Sequence, residues 1–140
     1  MDLLDGAKLV TKDGETTFDK GSLPDIVCFY FSAHWCPPCR AFTPELAEIY
    51  TSVNGDGKQF EVIFVTSDRD ESSWKEYYDS MPWLSLPFGD DKIKELKGHF
   101  DVTGIPKLVV LKSDGTEITR DGRMTVIEHA SGCVEQWKNA

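Results

Sequence analysis

Basic residues are scarce in this chain. Lys and Arg number 15 against 24 Asp and Glu, for a formal net charge of −9 at pH 7. A nucleic-acid groove needs clustered Lys and Arg for the phosphates, and an anionic membrane surface needs a polybasic patch, so neither partner is expected. Long apolar runs are missing too. The longest, Ile26 to Phe31, is far short of the roughly 20 residues of a spanning helix. The opening Met1-Asp2-Leu3-Leu4-Asp5 has neither a basic n-region nor an apolar h-region, so no secretory signal is expected. Metal-ligand spacing is absent. Zinc takes four ligands, there is one Cys-x-x-Cys, and His34, His99, His129 and Cys133 show no pairing, so no metal is expected. Four cysteines, Cys28, Cys36, Cys39 and Cys133, do not make the disulfide framework of a small secreted domain. They suit a reducing compartment. With no repeat, low-complexity tract or interdomain linker, residues 1–140 read as one domain. Residues 1–22 form a hairpin extension and residues 23–137 the core.

What the chain does have is Trp35-Cys36-Pro37-Pro38-Cys39 at a strand-to-helix junction. Upstream, Ile26-Val27-Cys28-Phe29-Tyr30-Phe31 has the aromatic and β-branched content of a strand buried on both faces. Downstream, Phe42, Leu46, Ile49, Tyr50 and Val53 recur at helical spacing. A Cys-x-x-Cys so placed reads as a redox motif. Free N–H groups and the partial positive charge of a helix start favour an anion, so Cys36 is expected to carry the lower pKa and act as nucleophile, with Cys39 resolving. Pro37 and Pro38 lock two φ angles and hold the sulfurs close.

Around this motif the remaining elements fall in order. Ala7 to Phe18 is a hairpin turning at Asp13-Gly14. Strands are predicted at 60–67 and 108–111, with helices at 71–80 and 91–100. Pro44 kinks the helix after the motif, and Met81 to Phe88 is an apolar loop. Ser113 to Thr116 turns into a strand at 117–120, and one helix spans about Thr125 to Trp137 despite Gly132. Strands alternating with helices imply an α/β fold with a parallel core, to which the last hairpin adds an antiparallel edge.

This pattern resembles the thioredoxin fold. The redox motif, Pro44, and Ile105-Pro106 just before a strand agree at three separate places. Trp-Cys-Pro-Pro-Cys is similar to the motif of tryparedoxins and nucleoredoxins. So are Phe31-Ser32-Ala33-His34-Trp35, Met81-Pro82-Trp83-Leu84, the stretch 115–120 and Gly122-Arg123. The resemblance implies a central mixed sheet with helices on both faces and an N-terminal hairpin. It implies a cis bond at Pro106, with Ile105 and Pro106 facing the disulfide and the Ile105 backbone open to an extended substrate. The pattern departs from thioredoxins twice. Their buried Asp six residues before the first cysteine is replaced by Tyr30, so proton-transfer support falls to Tyr30, Asp68, Asp70 or a water. Lys107 stands where thioredoxins commonly have Thr. Nucleoredoxins also carry several such modules, and these 140 residues hold one.

The function implied is reduction of protein disulfides by dithiol exchange, without cofactor. An external reductant is needed: a low-molecular-weight dithiol, glutathione or a flavoprotein reductase. Trp35, beside the nucleophile, is expected to wall the substrate surface. Trp83 divides evenly between that role and the core, whereas Trp74, Tyr77, Tyr78 and Cys28 read as packing. The rival function is a redox-dependent protein-binding module of nucleoredoxin type with little turnover. A monomer in the cytoplasm, and also the nucleus, is expected.

Overall fold

The computed structural model describes residues 1–140. Its strands are β1 (Lys8–Thr11), β2 (Gly14–Thr17), β3 (Ile26–Ser32), β4 (Phe60–Thr66), β5 (Leu84–Ser85), β6 (Lys107–Lys112) and β7 (Glu117–Thr119). Its helices are α1 (Pro37–Val53), α2 (Glu71–Tyr78), α3 (Asp91–His99), α4 (Gly122–His129) and α5 (Cys133–Lys138). One seven-stranded sheet runs β2-β1-β5-β4-β3-β6-β7. It is the mixed sheet expected: β3, β4 and β5 run parallel, β6 joins β3 antiparallel, and β7 and the β1–β2 hairpin are antiparallel additions.

Every residue of β3 and β4 is buried, so alternate side chains feed two cores. Ile26, Cys28 and Tyr30 point to the face packed by Leu46, Trp74, Tyr77, Val126 and Trp137, from α1, α2, α4 and α5. Val27, Phe29 and Phe31 point to the opposite face, closed by Leu96, Phe100 and the N-terminal Leu4 and Leu9. The topology places the site. β6 starts where β3 ends, with Lys107 opposite Phe31 and Lys112 opposite Ile26. Ile105 and Pro106 therefore arrive at the same end of the sheet as the motif that follows β3.

Two local expectations need correction, and one even reading is decided. Inside the apolar loop, Leu84–Ser85 forms a strand, because β4 on one side and Val10 of β1 on the other both bond to it. Trp83 is core: it is 1% exposed and packs edge-on against Tyr30 and Tyr50. The C-terminal helix is two. Ala130, at φ +48°, ends α4, and a 3-10 turn over Ala130–Gly132 re-aims the chain before α5.

Candidate active site

Cys36 is the N-cap of α1. Its extended backbone ends the approach from β3, and its Sγ accepts the N–H of Cys39 at 3.4 Å. Pro37 and Pro38 occupy the first two helical positions, where a backbone N–H has no helical partner to lose. All four cysteines are free thiols. Cys36 is 5% exposed, whereas Cys28, Cys39 and Cys133 are 0% exposed. Burial pushes the Cys39 thiol up to about 11 and the Cys133 thiol likewise to about 11, and raises Cys28 well above the usual thiol range. Both residues are buried, but Cys36 reaches solvent narrowly and Cys39 not at all. Ala33, Cys36 and Cys39 form their own small cluster, against which Ile105 packs.

The Ile105–Pro106 bond is cis, as expected. Cys36 Sγ lies 4.0 Å from the Ile105 carbonyl oxygen. Trp35 is 49% exposed, its indole Nε1 donates to the Ser67 carbonyl at 3.1 Å, and the Arg69 guanidinium lies 5.1 Å from the ring centre. It stands as a fixed apolar wall beside Cys36.

The three proton-transfer candidates are spread apart. The Tyr30 hydroxyl donates to the Cys39 carbonyl at 3.3 Å and shares a 2.7 Å hydrogen bond with Thr43 Oγ1. Burial raises its pKa far above the ordinary phenol range. Asp68 uses both carboxylate oxygens to hold the loop, accepting from the His34 N–H at 2.8 Å and from the Thr66 hydroxyl at 2.7 Å. Asp70 caps α2, and its bond from the Ser73 N–H keeps its carboxyl below the usual range. Neither carboxylate hydrogen-bonds to a cysteine.

Sequence reasoning missed two groups. Ser32, Thr43 and Tyr77 form a buried hydroxyl chain with Tyr30. Ser32 immediately precedes the turn into the motif, but Tyr77 had only core spacing to show. The second group is cationic. Lys107, Arg120 and Arg123 wall a cleft of about 470 Å3 that also includes Pro106. The buried Nε of Arg123 has no hydrogen-bond partner. The dipeptide Gly122-Arg123 was the available signal.

A family model described as thioredoxin-like matches residues 24–117. Tryparedoxin from Trypanosoma brucei brucei is 44% identical over 134 residues, which are 94% of this chain and 91% of that protein. Probable nucleoredoxin 1 from Arabidopsis thaliana is 46% identical over 129 residues, 91% of this chain but only 21% of that longer protein. Among solved structures, thioredoxin from Wuchereria bancrofti superposes with TM-score 0.84 at 41% identity, covering 99% of both chains. Tryparedoxin II complexed with glutathionylspermidine gives TM-score 0.81 at 37% identity over 90% of this chain and 88% of that one. With its Cys-x-x-Cys at the strand-to-helix turn and its open mixed sheet, the chain belongs to the thioredoxin-like family, in the branch of the tryparedoxins and nucleoredoxins.

Proposed function

We propose that the protein is a thiol–disulfide oxidoreductase that reduces disulfides of other proteins. One observation carries this reading: two free thiols share the first turn of α1, with Cys36 reaching solvent narrowly and Cys39 sealed beneath it. The Cys36 thiolate attacks one sulfur of the substrate disulfide, and the other leaves as a thiolate. Cys39 then attacks the Cys36 sulfur of the mixed disulfide. The Cys36–Cys39 bond forms, the bond to the substrate breaks, and the substrate gains two electrons overall. Regeneration consumes two electrons from an external dithiol, glutathione or a flavoprotein reductase. Ile105 offers its backbone to an extended segment of the substrate, and Trp35 contacts its apolar side chains. Lys107 and Arg123 suit an acidic group on substrate or reductant, whereas Arg120 is already paired with Glu117, and a tryparedoxin has been solved with glutathionylspermidine. Cys28 and Cys133, buried and unpaired, fit a reducing compartment such as the cytoplasm.

The test is trapping. A Cys39→Ser variant should hold a disulfide-containing protein such as insulin as a covalent adduct through Cys36, released by dithiothreitol. Cys36→Ser should form no adduct and reduce nothing. Absence of adduct in the first variant, or turnover in the second, overturns the reading.

A further inference from the structure

Resolution of a mixed disulfide requires Cys39 to lose its proton, yet this thiol is 0% exposed and burial pushes it up to about 11. The titratable groups facing it are Cys36 on its own turn, Tyr77 from α2 and Tyr30 from β3. None is a carboxylate. What surrounds Cys39 is a run of hydroxyls. The Ser32 hydroxyl, at the end of β3, favours the ionised form of the thiol. Ser32 Oγ is 2.8 Å from the Tyr77 hydroxyl, which is 2.6 Å from Thr43 Oγ1. Thr43 donates to the Cys39 carbonyl at 2.9 Å.

Such a run has two self-consistent orders, because each hydroxyl both donates and accepts. When Cys39 is a thiol, its S–H donates to Ser32, Ser32 to Tyr77, Tyr77 to Thr43, and Thr43 to the Cys39 carbonyl. When Cys39 is a thiolate, the bonds among the hydroxyls reverse and Thr43 releases the carbonyl: Thr43 donates to Tyr77, Tyr77 to Ser32, and Ser32 to the sulfur. Tyr30 still donates to Thr43 or to the carbonyl. Both orders leave every hydroxyl satisfied. The run is buried, but two of its residues border an open pocket. Thr43 and Tyr77 wall an open pocket of about 550 Å3 with His34, Arg40 and Glu76, and the His34 ring centre is 5.5 Å from that of Tyr77.

We propose that Ser32, Tyr77 and Thr43 are the proton route of Cys39, carrying its proton to water in the pocket walled by His34 and Glu76. The proposal rests on the exchange reaction above. As the Cys39 sulfur bonds to Cys36, its proton passes to Ser32, the Ser32 proton to Tyr77, and one proton from Tyr77 or Thr43 to water. The Cys36–substrate bond breaks with its electron pair on the substrate sulfur, which takes a proton from solvent. Protons and electrons balance with no other reactant. Ser32, Tyr77 and Thr43 are positioning residues, since the bond-making sulfurs are those of Cys36 and Cys39.

A symmetric chromogenic aryl disulfide separates the steps. Attack by Cys36 releases one chromophore and resolution by Cys39 releases the second, so stopped-flow mixing with the reduced protein reads both rates. Ser32→Ala and Tyr77→Phe should each slow the second release at pH 7 by about tenfold or more, the scale of a lost proton-transfer group, while the first release keeps its rate. The slowing should shrink towards pH 10, where hydroxide takes the proton directly, and Ser32→Thr should restore the rate. An unchanged second release in both variants, or the same slowing at every pH, overturns the route while leaving the exchange reaction standing. No second release from the unsubstituted protein overturns the exchange reaction itself, and the route with it.

Discussion

The backbone N–H of Cys39 points at the Sγ of Cys36, 3.4 Å away, so Cys39 helps to hold the other sulfur of the pair in place. Cys36 thereby receives at its sulfur the hydrogen bond that an N-cap side chain ordinarily accepts. Reduced protein exposed to limiting iodoacetamide near pH 7 should be alkylated first at Cys36, as read by peptide mapping. Cys28, Cys39 and Cys133 should label only on unfolding. Equal labelling of all four would contradict this order.

Trp35 is fixed by Ser67 and Arg69 but packs into neither core. Trp35→Ala should therefore change folding stability by less than about 1 kcal/mol. It should lower kcat/KM for a protein disulfide by roughly tenfold, the loss of about 1.4 kcal/mol of contact, and spare a small disulfide. Equal losses on both substrates would show that the indole serves the cysteines rather than the substrate.

Gly122 opens α4 against β6 with no room to spare. A Cβ there would sit 2.6 Å from Val110 Cγ2 and 3.0 Å from the Leu108 carbonyl oxygen. Gly122→Ala should destabilise the protein by about 1–3 kcal/mol, the usual cost of overpacking, seen as a lower urea midpoint with an unchanged slope.

Stability should fall above pH 9. The Cys39 and Cys133 thiols ionise near 11 in the folded protein, but near about 8.5 in an unfolded chain. Between those values the unfolded chain holds fewer protons, so the free energy of unfolding decreases as pH rises. Urea midpoints at pH 7.5 and 10 measure the fall, and Cys133→Ala should make it smaller. A midpoint that holds steady to pH 10 would contradict the burial of these thiols.

Elements with a strong local pattern were legible. The apolar runs of β3, β4 and β6 and the spacing along α1 each announced themselves over several residues. Leu84–Ser85 could not, because two residues become a strand only when β4 and β1 flank them. Trp83 in its proline-flanked loop divided evenly between site and core, and the space between Tyr30 and Tyr50 decides its place. The cysteines were legible because their chemistry needs a fixed short spacing. The hydroxyl run was not: Ser32 and Tyr77 are 45 residues apart, and common residue types joined across that distance leave no motif.

The short β1–β2 hairpin has a consequence for colloidal behaviour. It covers β5, and beyond β5 lies β4, an apolar strand whose unpaired flank would be a template for another chain. In its place the hairpin presents Gly14, Glu15, Thr16 and Thr17, all exposed. The far edge ends in β7, whose three residues begin with the exposed Glu117. Both rims of the sheet are thus short, and the net charge of −9 adds repulsion between copies. A sheet with such rims is kept from adding strands to its neighbours.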